Sequence, residues 1–133
     1  MTQINIDVMD MIVDRIAEGA PLSKALESVY VKRHVAIPYN AECFNVLIVD
    51  FGMSNRTTNA LLRGRFRTVG DVIKFCRNNK ITDISNVGKS SGIEIFETIL
   101  DYCWNHMSED EKTRFLIKTV EMNRDNIRLN VVR

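Results

Sequence analysis

Arg56 and Asn59 are the first residues along the chain whose types and spacing suit the binding of a polyanion. They lie three positions apart after Ser54, a residue type that commonly begins a helix. Side chains three or four positions apart share one face of a helix, so Arg63 should lie on that face as well. An arginine can bind phosphate or enter a groove of negative potential, and an asparagine can hydrogen-bond a base edge.

A second group with suitable chemistry is the sequence Gly88, Lys89, Ser90 and Ser91. A glycine lets a ligand approach the backbone, and the N–H groups at the start of a helix bind anions. Lysine and serine side chains would add charge and hydrogen bonds at the same place. The spacing therefore favours a phosphate site, although Gly88 could serve a tight turn alone and Ser91 with Glu94 could be a plain helix cap.

The net charge of +1 hides an uneven distribution along the chain. Residues 1–55 carry four basic and seven acidic residues, and residues 91–120 carry three basic and six acidic residues. Between them, residues 56–90 carry eight basic and two acidic residues, a net charge of +6. A local basic region can attract nucleic acid even in a nearly neutral chain. The alternative is a solvated basic face without a ligand.

Enzyme and metal signals are missing from the sequence. There is no P-loop, GxGxxG, HExxH or GxSxG motif, and neither His34 nor His106 belongs to a sequence pattern typical of metal binding or nucleophilic catalysis. Cys43, Cys76 and Cys103 are odd in number and form no CxxC pair, so we expect buried thiols rather than a disulfide framework or a zinc site. We therefore expect no enzyme activity, no cofactor and no metal.

Length and composition predict one globular domain in the cytoplasm. The 133 residues can bury a core, and 45% apolar with 26% charged residues is ordinary for such a domain. The apolar runs are too short to cross a membrane, and the first residues do not resemble a secretory signal.

Apolar periodicity and capping residues predict an all-α fold, a compact domain of several short helices. Gly19, Gly52 and Gly64 should end helices. The predicted helices are Ile4–Glu18, Leu22 to about Lys32 with Ser23 as a possible cap, Ala41–Val49, Ser54 to about Arg63, Thr68 to about Cys76, one turn within Ile81–Ser85, Lys89–Trp104, and a last helix from Ser108 to about Met122.

These elements suggest three parts. Residues 1–40 should form an acidic helical hairpin packed on the main domain, residues 41–122 the main helical domain, and residues 123–133 a loose tail.

Three motifs in the middle of the chain carry a family resemblance. Residues 53–59 read MSNRTTN, residues 69–72 read VGDV, and residues 86–91 read NVGKSS, with Glu94 three positions further on. In this order and near this spacing, they resemble the C-terminal domain of the bacterial RNA polymerase alpha subunit, whose patterns are Leu-Ser-x-Arg-x-x-Asn, Val-Gly-Asp-Leu and Asn-Leu-Gly-Lys-Lys-Ser with a following Glu. The resemblance covers residues 46–104.

The resemblance implies a helix-hairpin-helix-like element that docks double-stranded DNA in its minor groove, preferably where A·T pairs are frequent. Arg56 would enter the groove, while backbone N–H groups near Gly88 would hold phosphate. A carboxylate cannot bind phosphate, so we expect Glu94 to orient Arg56 or to cap at Ser91. The implied DNA-binding residues are Arg56, Asn59, Arg63, Gly88, Lys89, Ser90, Ser91 and Glu94.

Departures from the family pattern limit the comparison. Ala60 stands where the family often has Cys, and Ser90 replaces the second Lys of the turn, which removes one phosphate-binding charge. The acidic hairpin occupies the place of a polymerase-assembly domain, so we expect a free-standing bacterial relative located with the nucleoid. RNA polymerase or a sigma factor would be its further partner, and a homodimer is possible. The alternative is a protein-interaction module of the transcription machinery that has lost DNA binding.

Overall fold

A computed structural model describes residues 2–31 and 45–128, which contain six α-helices and no β-strand. The all-α prediction is confirmed at this level. The helices are α1 (Gln3–Ala17), α2 (Leu22–Val29), α3 (Asn55–Arg63), α4 (Val69–Cys76), α5 (Lys89–Asn105) and α6 (Glu109–Met122), with 3₁₀ turns at Ile48–Asp50, Ile81–Asp83 and Arg124–Asn126. None of these helices is both long and apolar enough to cross a membrane.

Side-chain caps explain where several helices begin. Ser54 accepts a hydrogen bond from the Thr57 N–H, and Thr68 and Ser108 form capping boxes with Asp71 and Glu111. These three starts were predicted and are confirmed. At α2 the predicted cap is wrong, because Pro21 occupies the N-cap position and Ser23 lies within the helix.

Helix α3 ends at Arg63, before Gly64, as predicted, but Gly64 does not supply the left-handed residue. Gly64 has an ordinary backbone conformation, and Arg65 takes the left-handed one, with φ of +68°. The Arg65 N–H donates to the Leu62 carbonyl and the Phe66 N–H to the Leu61 carbonyl, both at 3.0 Å, which is the Schellman pattern. Gly64 is small for another reason, since an added Cβ would lie 3.0 Å from the Phe66 ring.

The chain divides into two compact units, Met1–Tyr39 with Trp104–Arg133, and Asn40–Cys103. In the first unit, α1 packs on α2 and α6 around a core that includes Val8, Ile12 and Leu116. This division differs from the predicted one, because α6 groups with the N-terminal hairpin and not with residues 41–103.

The tail is more ordered than predicted over its described part, which ends at Arg128. Ile127 forms an isolated bridge with Tyr30, and the Arg128 N–H donates to the Val29 carbonyl at 2.9 Å. The Arg128 side chain also donates to the Glu27 carbonyl at 3.2 Å. Residues 129–133 lie outside the described residues.

The helix predicted for residues 41–49 is wrong where the structure describes it. Leu47 is extended and bridges to Thr68, and the Ile48 N–H donates to the Arg67 carbonyl at 2.8 Å. Ile48 is fully buried while Leu47 is 47% exposed. The backbone groups of this segment therefore bond to residues 67–69 and not within a helix, and only the short turn Ile48–Asp50 follows. Residues 41–44 lie outside the described part.

The cysteines correct one expectation. Cys76 is a free thiol, and burial raises its pKa. Cys103 is disulfide-bonded, so the prediction of a thiol is wrong at that position. Sequence spacing cannot reveal which cysteines meet in space. Cys43 lies outside the described residues.

The adjacent positions Gly64 and Arg65 should respond to substitution with opposite signs. Arg65→Gly removes the cost of a left-handed non-glycine residue and should raise the free energy of unfolding by about 0.5–1 kcal/mol. Gly64→Ala should lower it, because the new Cβ meets the Phe66 ring. Urea titration of both variants measures the two changes, and a destabilising Arg65→Gly would contradict the assignment of backbone strain.

Candidate nucleic-acid interface

Helix α3 presents its cations to solvent because its apolar residues are buried. Thr57, Ala60 and Leu61 lie in the core, whereas Arg56, Asn59 and Arg63 are exposed on another side of the helix. The Ser54 cap fixes where this helix starts and thereby which residues face outward. Leu62 is apolar as well, but it is 40% exposed.

The segment before α5 is held by two buried apolar side chains, Ile84 and Val87. The Val87 N–H donates to the Ile84 carbonyl at 3.0 Å, and Asn86 between them has φ of +67°. The Gly88 carbonyl accepts the first helical hydrogen bond of α5 from the Gly92 N–H at 2.9 Å. Gly88 therefore occupies the N-cap position, where it has no side chain with which to cap the helix.

A cavity of about 710 Å³ lies between α3 and the segment that leads to α5. Its α3 wall is formed by Arg56, Asn59, Ala60 and Arg63. The opposite wall consists of Thr82, Asp83, Ile84, Ser85, Asn86, Val87 and Gly88.

A second cavity of about 520 Å³ lies around the N-terminus of α5. Arg56 and Gly88 line both cavities, so the two share a border. The structure thus brings the eight predicted site residues onto the walls of two adjoining cavities. The second cavity is lined by Ser54, Arg56, Thr57, Gly88, Lys89, Ser90, Ser91 and Glu94.

The cations of these walls have no acidic partner within the described part of the chain. Arg56, Arg63 and Lys89 are exposed, and the ion pairs found there join Lys24 to Glu27 and Lys112 to Glu109. Their positive charge therefore remains available to a ligand. Arg65 and Arg67, two further exposed arginines of the same unit, line neither cavity.

Glu94 connects α5 to the start of α3. One carboxylate oxygen accepts the Ser54 backbone N–H at 2.9 Å, and the other lies 2.9 Å from Ser54 Oγ and accepts the Thr57 hydroxyl. The two predicted roles, orienting Arg56 directly or capping at Ser91, are therefore replaced by capping of the neighbouring helix. Glu94 influences Arg56 only by fixing the helix turn that carries it.

The hydrogen bonds also set the ionisation of Glu94. Burial acts to raise the pKa of its carboxyl, but the Thr57 hydroxyl and the Ser54 N–H and hydroxyl outweigh it, so the pKa lies below the ordinary value. The carboxylate is therefore ionised at neutral pH, yet it is fully engaged by donors of the protein.

Gly88 is not required by the interior of the fold. Its φ is not positive, and a Cβ added there would meet no atom within 4 Å. Gly92, by contrast, packs against Ile81, whose Cγ2 would lie 3.0 Å from an added Cβ. A glycine that the fold does not need, at the border of two cavities, is consistent with close approach of something outside the chain.

Sequence reasoning missed Thr57 and the wall residues Thr82, Asp83 and Asn86. Thr57 is 1% exposed and reads like any helix residue, so only its contact with Glu94 gives it a role. Asp83 accepts the Lys80 N–H at 2.9 Å, which is a local cap that its position could have indicated.

Comparison with known proteins adds no assignment, since no family model, curated protein or solved structure matches the chain. Within residues 2–31 and 45–128, no group of three or more His, Cys, Asp and Glu residues could hold a metal ion.

Glu94→Gln should weaken the connection between α3 and α5 and change the response to acid. A carboxyl whose pKa is lower in the folded chain stabilises it above the unfolded value of about 4.3, and this contribution is lost as the pH falls through the folded pKa. We expect the variant to lose about 1–3 kcal/mol of unfolding free energy at pH 7.

The same variant should lose less stability than wild type between pH 7 and pH 3 in urea titrations. The pKa values of Asp71 and Glu111 are also lowered, by backbone hydrogen bonds from Arg67 and Ser108. These two groups should therefore preserve part of the decrease in unfolding free energy as the pH falls. Glu121→Gln, an exposed position on α6, is the control. If the unfolding free energy of Glu94→Gln fell between pH 7 and pH 3 by as much as that of wild type, the assigned contact would be contradicted.

Proposed function

We propose that residues 46–104 form a DNA-docking module of the transcription machinery, which binds the phosphate backbone and the minor groove. The observation that carries this proposal is the convergence of α3 and the start of α5 on two adjoining cavities with three unpaired cations. The motif resemblance supports the same function and adds RNA polymerase or a sigma factor as a second partner.

The N-terminus of α5 is the proposed phosphate site. Its first backbone N–H groups lie in a wall that also contains Lys89, Ser90 and Ser91, and the positive end of the helix dipole favours an anion there. Such contacts fix the position of DNA without reading its sequence.

Arg56 is the proposed groove residue, with Asn59 and Arg63 beside it on the same wall. A narrow A·T-rich minor groove has enhanced negative potential and attracts an inserted arginine. Asp83, on the opposite wall, repels phosphate. The DNA backbone and the groove should therefore contact the Gly88 side of Arg56, away from Asp83.

Replacement of Arg56 tests the groove contact. Arg56→Ala should cost about 1–3 kcal/mol of affinity for an A·T-rich duplex. It should also reduce the preference of the protein for the A·T-rich duplex over a G·C-rich duplex. The side chain is exposed and unpaired, so the unfolding free energy should not change.

Fluorescence anisotropy with labelled duplexes at two salt concentrations measures both effects. Arg77→Ala removes another exposed cation of the same unit that lines neither cavity, and it should leave the affinity nearly unchanged. No binding of wild type to either duplex at low salt, or equal losses in the two variants, would reject the proposal.

Gly88→Ser separates the phosphate site from the requirements of folding. The added hydroxyl can cap α5, and the space around Gly88 is open, so stability should rise by a few tenths of a kcal/mol. The same hydroxyl would occupy the N–H groups that the DNA phosphate needs, so affinity should fall at least about tenfold, or 1.4 kcal/mol.

Thermal unfolding measures the change in stability, and fluorescence anisotropy on the same preparation measures the change in DNA affinity. Ser85→Ala, in the preceding turn, is the matched control for a small change at the cavity wall. A Gly88→Ser variant that is more stable and binds DNA as well as wild type would show that the start of α5 does not contact phosphate.

A further inference from the structure

Helix α1 has a second apolar face that the first unit does not cover. Its central face is buried, with Val8 and Ile12 at 0% exposure. Beside that face, Ile6 is 39% and Val13 45% exposed, although both are large aliphatic residues. Two half-buried residues continue the same line. The α1 stripe is Ile6, Met9, Val13 and Ile16.

The spacing of the α1 stripe matches a helix-pairing seam. Steps of three, four and three residues place its members in one row along the whole helix, as the a and d positions of a coiled coil are placed. A row of this kind accepts the apolar side chains of a second helix between its own. A single exposed isoleucine would carry no such meaning.

A carboxylate borders the α1 stripe. Asp10 lies four positions after Ile6 and three before Val13, so it flanks the row, and Asp14 follows four positions later, further round the same side of the helix. These two residues, the acidic row, are exposed and form no ion pair within the described part of the chain. Like charges four apart destabilise a helix, so nothing in the fold itself accounts for the arrangement.

We propose that the α1 stripe and the acidic row together dock a basic amphipathic helix of another protein. The partner would place aliphatic residues on the stripe and Lys or Arg along its edge, opposite Asp10 and Asp14. Charge complementarity selects this partner, because opposite charges at the rim set the register and suppress wrong partners.

A second copy of the chain fits the same surface less well. In an antiparallel pair of α1 helices related by a two-fold axis, the acidic row of one copy would face the acidic row of the other. Juxtaposed like charges oppose such a pair. The proposed surface lies on the first unit, and its function does not depend on DNA docking by residues 46–104.

Two synthetic helical peptides with the same leucine face provide the probe, one with lysine and one with glutamate at the flanking positions. Anisotropy titration of the full chain should show the lysine peptide binding at least about tenfold more tightly. Val13→Gln and Ile6→Gln should each weaken the binding of the lysine peptide about tenfold. Asp10→Asn with Asp14→Asn should remove the preference for lysine while apolar binding remains.

Val49→Gln is the matched control, since Val49 is 57% exposed and lies in the other unit. Circular dichroism checks that each variant remains folded, and binding to an A·T-rich duplex should be the same for Val13→Gln as for wild type. Failure of the lysine peptide to bind, equal affinity for both peptides, or an equal loss in Val49→Gln would overturn the proposal. Sedimentation showing a dimer that Val13→Gln dissociates would assign the stripe to a second copy and would overturn it as well.

Discussion

The candidate interface depends on one carboxylate. Glu94 is forty residues from Ser54 along the chain, yet it accepts the Ser54 N–H and the Thr57 hydroxyl and thereby caps a helix to which it does not belong. The contact fixes the position of α5 relative to the start of α3. Arg56, in the first turn of α3, and Gly88, at the start of α5, share a cavity border, and this connection holds the two helix starts together. A partly exposed carboxylate that accepts hydrogen bonds from three donors holds its position, because bonds to a charged acceptor are stronger than neutral ones.

Stability and ligand binding make opposite demands at the start of α5. Helices α1, α3, α4 and α6 begin with a Thr or Ser whose side chain accepts a backbone N–H, whereas α5, the longest helix described, begins at Gly88. The missing cap leaves donors for an external anion, at a cost of some helix stability. Arg65, just after α3, is a second place where the chain accepts a local cost, since a non-glycine residue takes the left-handed conformation there.

The two compact units carry different surface chemistry. The described basic residues Arg56, Arg63 and Lys89 belong to the unit Asn40–Cys103, while α1 of the other unit presents carboxylates beside exposed aliphatic side chains. A nucleic-acid ligand and a basic helical partner would thus bind different units by different interactions. This separation makes each proposal testable without disturbing the other, and it gives a near-neutral chain two strongly charged surfaces.

The sequence by itself determined what depends on neighbours within one helical turn. The caps at Ser54, Thr68 and Ser108, the extent of α3 to α6 and the exposure of Arg56 and Asn59 all follow from residues three or four positions apart. The site residues could therefore be named, although not their contacts. Only the tertiary structure decided the rest: the bonding of Ile48 to Arg67 in place of a helix, the grouping of α6 with α1, the disulfide at Cys103 and the contact of Glu94 with α3. These features join residues far apart in the chain, and packing of the whole core, which no local pattern encodes, determines which of them meet.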